Sequence, residues 1–297
     1  MTAFRLAHLS DPHLPPPSGA LRWRDVVSKR LLSRLAWRRK GEGHDPALLG
    51  ALVADVRAYA PDHTAITGDL TNFATEAEFA AARIWLEGLG AAGNITVSPG
   101  NHDALVEKRD DPFGAWRPWL GDDSQGAFPH LRRRGGVVLI NVCSARPTAP
   151  HLATGRLGAG QLGRLDTILR DVAGGDLARV LLIHHPPAPG AVAPRKALED
   201  GAALREVLAV HGVDLVLHGH VHEATVSRLR GPDGDIPTLG VPSASATAGG
   251  HHPAARWHAI EIARTDGRTV VDVHARGLVD GKFEALGAYR LVSPQRA

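Results

Sequence analysis

A single cysteine, Cys143, stands among 297 residues, so the chain can form no internal disulfide. The lack of disulfides leads us to expect a cytoplasmic location. It also limits metal chemistry. Without a second thiol, a metal site must use oxygen and nitrogen ligands, which points to Mn, Fe or Zn over a thiolate-zinc centre. Cys143 ends the apolar run 137–143 and reads as a core thiol on a buried strand, not a nucleophile. No run of about eighteen apolar residues occurs, so no transmembrane helix is expected. Met1-Thr2-Ala3-Phe4-Arg5 leads straight into a strand-like run. The usual basic start, apolar stretch and cleavage site are missing, so a signal peptide is not expected. No repeat at solenoid spacing is present.

The residues that are there suit a soluble globular protein with a large core: 43% are hydrophobic and 22% charged. The formal charge is +3, but its distribution matters more. Between residues 21 and 40, Arg22, Arg24, Lys29, Arg30, Arg34, Arg38, Arg39 and Lys40 face one acid, Asp25. That local excess of seven leaves the rest of the chain mildly acidic. Val27, Leu31 and Leu35 follow at i+4 steps, which predicts an amphipathic helix. It reads either as a surface helix docked on the core or as a contact for anionic membrane or a lipid-like substrate.

A strand is predicted over residues 4–9, ending at Ser10-Asp11. Asp45-Pro46 looks like a helix N-cap followed by proline at the first helical position, with Leu48, Leu49, Leu52, Val53 and Val56 as its apolar face. A strand over 63–67 runs into Gly68-Asp69. Thr75 and Glu78 have capping-box spacing and open a second helix. A strand over 94–97 follows. Residues 104–136 read as an irregular insertion, a lid or substrate wall or an ordered surface excursion, and residues 20–42 as a basic helical insertion. Further on come strands at 137–142, 179–183 and 213–217, with helices at 160–172 and 202–210. Runs at 224–229, 238–241, 257–262 and 269–274 look like a second sheet. The whole chain, 1–297, reads as one α/β domain. Its polar motifs fall after strands, where ligands collect in α/β sheets.

Those motifs are Asp11-Pro12-His13, Gly68-Asp69, Gly100-Asn101-His102-Asp103, His184-His185-Pro186-Pro187 and Gly219-His220-Val221-His222. In order and spacing they resemble the calcineurin-like metallophosphoesterase superfamily, over residues 6–222. Within it they look most like the cyclic-nucleotide and broad phosphodiesterase branch. The resemblance implies a four-layer α-β-β-α sandwich with two mixed β-sheets. It implies two divalent or trivalent metal ions: Asp11, His13 and His222 hold the first, Asn101, His184 and His220 the second, and Asp69 bridges them. A metal-bridging hydroxide would attack a small-molecule phosphate ester, most simply a phosphodiester. Two divalent ions less two carboxylates and one hydroxide leave a single positive charge, enough to attract a phosphoryl group without trapping it.

The resemblance further implies that His102 protonates the leaving oxygen; the other reading is an imidazole that contacts phosphate. Asp103 has two readings, orienting His102 or capping a helix. His185 reads as packing behind a ligand, and Asn72 as an anchor for Asp69 or a turn residue. The remaining eleven of the 17 histidines, His8 included, read as structural or surface, although His251-His252 could rim the pocket. The alternative enzyme is a pyrophosphatase acting on a nucleotide-linked lipid such as UDP-diacylglucosamine, favoured only by the basic segment. A non-catalytic scaffold of the same fold would have lost ligands or His102, and none is lost here. Nucleic acid is not an expected partner, because one basic segment does not make a phosphate-tracking groove.

Overall fold

The computed structural model describes residues 3–21, 29–30, 43–107, 111–247 and 253–293. Most of the predicted basic helix, and His251-His252, lie outside the described residues. Two six-stranded sheets make the frame. The first has the order β12-β11-β10-β1-β2-β3, with β1 Phe4–Leu9, β2 His63–Ile66, β3 Ile95–Val97, β10 Arg256–Thr265, β11 Arg268–Val279 and β12 Lys282–Val292. The second has the order β4-β5-β6-β7-β9-β8, with β4 His130–Arg134, β5 Val137–Asn141, β6 Ala178–Leu182, β7 Leu215–His218, β8 Thr225–Arg230 and β9 Asp235–Gly240.

The alternation of side chains along the strands explains the layers. A residue and its neighbour point to opposite faces, so a strand covered on both sides reads as an unbroken apolar run. On β5, Val137 and Leu139 enter a core between the sheets, while Val138 and Ile140 face the other way. On β1, Phe4 and Leu6 enter that same inner core, and Ala7 and Leu9 belong to an outer one. Helices α1 (Pro46–Tyr59) and α2 (Glu76–Leu89) cover the first sheet through Leu49, Leu52, Val53, Val56, Phe79, Ala82 and Leu86. Helices α4 (Ala159–Asp171) and α5 (Gly201–His211) cover the second through Leu165, Leu169, Leu204 and Leu208. Helix, sheet, sheet, helix is the expected four-layer order.

The helix starts follow the local chemistry. Asp45 accepts a hydrogen bond from Ala47 N with Pro46 just inside α1. Thr75 and Glu78 form a reciprocal capping box at α2. The buried Glu78 carboxylate also accepts from the backbone N–H groups of Asn72, Phe73 and Thr75, and so ties the loop after β2 to the helix.

Two readings of the sequence are corrected. The stretch 104–136 is not irregular throughout: it contains the short helix α3 (Arg117–Leu120) and the edge strand β4, antiparallel to β5. Trp116 and Trp119 lie in the core, and Arg132 is buried with its guanidinium donating to the Ala92 and Pro118 carbonyls. Three successive arginines hid a strand because only one face of β4 is covered. The late strands also do not form a sheet of their own. β8 and β9 extend the second sheet beside β7, whereas β10 and β11 pair back to β1, with β12, unforeseen in the sequence, at the edge. Most of β12 is exposed, so it has no apolar run to announce it.

β1, β2 and β3 are parallel to one another, as are β5, β6, β7 and β9. The loops beyond their carboxyl ends carry the motifs.

Candidate metal centre

Five strands deliver the candidate ligands: β1 leads to Asp11 and His13, β2 to Asp69, β3 to Asn101, β6 to His184, and β7 to His220 and His222. The ligand atoms form two groups. Asp11, His13 and His222 offer atoms within 4.8 Å of one another, and so do Asp69, His184 and His220. Asn101 joins the second group, its Oδ1 3.1 Å from His184 Nε2. Asp69 stands between the groups: Oδ2 is 3.4 Å from His184 Nε2 and 3.9 Å from His13 Nε2. Its other oxygen, Oδ1, accepts from His102 N–H, so one oxygen is anchored and one faces both groups. All seven candidate ligands therefore meet at one place.

The turns that aim them are strained. Among the described residues ten non-glycine residues have positive φ, and five of these are Asp11, His13, Asp69, His220 and His222. Such backbone is uncommon away from glycine and gathers at functional sites. Each reversal directly after a strand turns a side chain back over the sheet ends. Two glycines permit the close approach. A Cβ on Gly100 would land on the Asp69 carboxylate, and one on Gly219 would land on Ser10 Oγ and the Asp11 carboxylate.

Hydrogen bonds select the ring nitrogens. His184 Nδ1 lies 2.6 Å from Thr67 O and must donate to it, so Nε2 is the nitrogen that faces Asp69 and Asn101 and would coordinate once its own proton is displaced. His220 Nε2 lies 3.0 Å from Lys196 O and donates there, leaving Nδ1 for the cluster. Asp11 accepts from His220 N–H through Oδ2 and faces His222 Nε2 at 3.1 Å through Oδ1.

The electrostatics suit cations. Burial pushes the Asp11 and Asp69 carboxyls up, but neighbouring imidazoles, His222 beside Asp11 and His184 beside Asp69, hold both well below the usual carboxylate range. Burial also opposes charge on His184, yet Asp69 and Asp11 push it up to about 9. Burial and adjacent imidazoles keep His13 and His220 well below the ordinary histidine value, hence neutral and able to coordinate. Imidazole, carboxylate and carboxamide donors in two adjoining groups fit a pair of metal ions.

The neighbours of the ligands differ from the sequence readings in detail. His102 is half-buried, and its Nδ1 donates to Asn72 O at 3.0 Å. Asn72 therefore steers His102 through its carbonyl, while its side chain donates to Leu14 O, in place of anchoring Asp69 or simply closing a turn. Asp103 is fully buried, and its carboxylate accepts from Thr71 N, Thr71 Oγ1 and Gly100 N. It staples the loop after β2 to the loop after β3, in place of orienting His102 or capping a helix. Burial, with Asp69 nearby, pushes its pKa up to about 7. His185 packs behind His184, with Nδ1 to Ser144 Oγ and Nε2 to Ala153 O, as expected of a packing residue.

One histidine read as structural or surface belongs to the site. His44 packs against His13, ring centroids 4.6 Å apart, and lies 6.0 Å from His222. No motif marks it, because it reaches the ligands only through the fold.

The family model for calcineurin-like phosphoesterases matches residues 4–224, and the chain belongs to that family. A probable cyclic nucleotide phosphodiesterase of Synechococcus sp. is 29% identical over 227 residues, covering 75% of this chain and 80% of the relative. A dimetal phosphatase from Danio rerio superposes with a TM-score of 0.58 over the full length of both chains, at 14% identity. A purple acid phosphatase from yellow lupin (Lupinus luteus) seeds superposes with a TM-score of 0.59, covering 97% of this chain and 53% of the plant protein, at 11% identity. At such identities the two structures speak for the fold alone. With the family, they make this chain a phosphoric ester hydrolase of the metallo-dependent phosphatase fold.

Proposed function

We propose that the protein hydrolyses phosphodiesters, a cyclic nucleotide or a small molecule of similar chemistry, at a centre of two metal ions. The observation that carries this reading is the complete pair of ligand groups spanned by Asp69, with His102 beside them. The Synechococcus relative supports the diester preference. Asp11, His13 and His222 would hold one ion, Asn101, His184 and His220 the other, and Asp69 both. The nitrogen and oxygen donors suit Mn, Fe or Zn. When bound, the two cations would lower the pKa of a water ligand and offset charge on the phosphoryl group.

The chain's own residues do the rest. Asp69 keeps its outward oxygen in register because His102 N–H holds the other one. Neutral His13 and His220 fix geometry without cancelling the positive charge that draws in the substrate. His102 donates through Nδ1 to Asn72 O, so Nε2 is the atom that delivers a proton to the departing oxygen. Asp103 is a positioning residue, joining the two loops that carry Asp69 and Asn101.

The test is a screen of mono-, di- and pyrophosphate esters after reconstitution with Mn, Zn or Fe. Diester turnover that a strong chelator abolishes and metal restores is the expected result. Pyrophosphate turnover on a nucleotide-linked lipid, with none on diesters, would transfer the assignment to the alternative enzyme. Full activity in chelator would remove the metal reading altogether.

A further inference from the structure

We infer that Arg30 is a positioning residue for His102: its guanidinium locks the turn over residues 72–74, and that turn holds the carbonyl that aims the His102 ring. The inference rests on the phosphoesterase reading above.

The His102 ring has to be aimed. Its backbone N–H donates to Asp69 Oδ1, which fixes the residue but not the rotation of its side chain. The ring is set through Nδ1, 3.0 Å from Asn72 O. A carbonyl only accepts, so Nδ1 carries a hydrogen and the direction of that carbonyl decides the direction of the ring.

The carbonyl is set in turn by its peptide group. An amide is planar, so the N–H of Phe73 fixes where Asn72 O points. Phe73 N donates to Glu78 Oε1 at 3.2 Å, and Asn72 N donates to the same oxygen at 2.9 Å. Arg30 acts on the next two peptide groups. Its Nε donates to Phe73 O at 2.9 Å and its Nη2 to Ala74 O at 2.8 Å. The peptide group between Ala74 and Thr75 is therefore gripped at both ends, its carbonyl by the guanidinium and its N–H by Glu78 Oε2 at 3.0 Å. A carboxylate takes the N–H groups of the turn and a cation takes its carbonyls, so both sets of bonds are charge-assisted.

The grip matters because the turn is strained. Ala74 is buried with a φ of 52°, backbone that residues other than glycine seldom take. Alanine has no polar side chain with which to hold itself there. Relaxation at Ala74 would rotate the peptide planes on either side of it, and the plane that carries Asn72 O is the next one back. Two donors on neighbouring carbonyls use the fork of a guanidinium, which lysine lacks. Arg30 comes from the basic segment and belongs to none of the five motifs, so the sequence gave no sign of this contact.

The experiment uses wild type, Arg30→Met and Arg30→Lys, each with and without His102→Ala, loaded with zinc and assayed for metal content. Methionine keeps an apolar stem and removes the donors; lysine keeps the charge without the fork. Arg30→Met should keep both metals and lose about tenfold to a hundredfold in kcat on an alkyl ester, the usual cost of a misplaced catalytic group. On a nitrophenyl ester of the same phosphate the loss should stay within about threefold. Arg30→Lys should fall between Arg30→Met and wild type. In the His102→Ala background Arg30→Met should cost less than about twofold more, since the two changes remove the same function. Equal losses on both esters, a full further loss in the His102→Ala background, or loss of metal would overturn the inference, because Arg30 would then support the loop in general. Nitrogen NMR of the zinc-loaded proteins gives a readout apart from turnover, with His102 assigned by its absence from the His102→Ala spectrum. Wild type should show the Nδ1–H tautomer and Arg30→Met a mixture of tautomers; the same tautomer in both, or no Nδ1–H in wild type, overturns the inference. A wild type that hydrolyses neither ester yet shows this tautomer change would reject the proposed function and leave the positioning role of Arg30 standing.

Discussion

His102 carries the sharpest prediction at the level of single residues. Its ring is steered by Asn72 O and packs edge-on against His13, but it belongs to neither ligand group, so His102→Ala should retain both metals. Loss of a general acid typically costs about 10²–10⁴-fold, and the cost depends on the leaving group. The fall in kcat should be large for a ribosyl or alkyl ester and small for a nitrophenyl ester of the same phosphate. Equal losses on both substrates would argue that His102 positions the phosphate instead. His184 supplies a second prediction. Its pKa, pushed up to about 9, keeps a proton on it at neutral pH in the metal-free protein. Metal must displace that proton. Loading at pH 7 in two weak buffers of different ionisation enthalpy should therefore show release of about one proton per second-group ion, and affinity should fall as pH drops. No proton release at pH 7 would mean that His184 is already neutral.

Among the strands, β2 and β10 each bury an uncharged histidine. His63 Nε2 donates to Thr96 Oγ1, while His63 Nδ1 and His258 Nδ1 have no partner among the described residues. Protonation would set an N–H against apolar surroundings. Burial accordingly pushes His63 down to about 3 and, with Arg256, His258 down to about 4. Both folded values lie below the unfolded one near 6.5, so the unfolded chain takes up the extra protons as pH falls. Stability from this source is full above about pH 6.5 and is lost down to about pH 4 for His258 and pH 3 for His63, at about 1.4 kcal/mol per pH unit per residue. Urea midpoints measured from pH 7 to 4.5 in chelator should fall less steeply in His63→Gln and His258→Gln than in wild type. Parallel pH profiles would show that the two rings do not carry the acid sensitivity. The capping box of α2 shows how an element serves the site: Glu78, placed by a local helix rule, also holds the backbone of the loop from Asp69 to His102's acceptor, Asn72.

For the molecule as a whole, charge is the open lever. The excess of basic residues between 21 and 40 prompts the membrane reading, and two of them are accounted for by the fold. Lys29 Nζ donates to Thr148 Oγ1 and Leu152 O, and Arg30 donates to the Phe73 and Ala74 carbonyls. Among the described residues no helix is long and apolar enough to cross a membrane. Arg34, Arg38 and Arg39 are the residues to change. If the segment meets anionic lipid, replacing all three with Gln should weaken binding to anionic liposomes, and added salt should weaken the wild type likewise. Turnover of a soluble diester should stay within about twofold. A wild type that ignores liposomes at low salt would dismiss the membrane contact.

Local rules were readable in the chain: the capping pairs at Asp45 and Thr75, the two-sided apolar strands β1, β5, β6 and β7, and the motifs after them that resemble the family. These depend on neighbours a few residues apart, where hydrogen bonding and side-chain period act directly. The pairing of β10 with β1 and of β9 with β7 was not readable, because a strand's apolar pattern says that it is buried and not beside which partner. The left-handed turns at Asp11, His13, Asp69, His220 and His222 were hidden as well, since aspartate and histidine take that backbone only where surrounding packing enforces it. His44 depended most on the tertiary structure. Between its chain position and that of His222 lie 177 residues, and only closure of the sheets brings the two rings together.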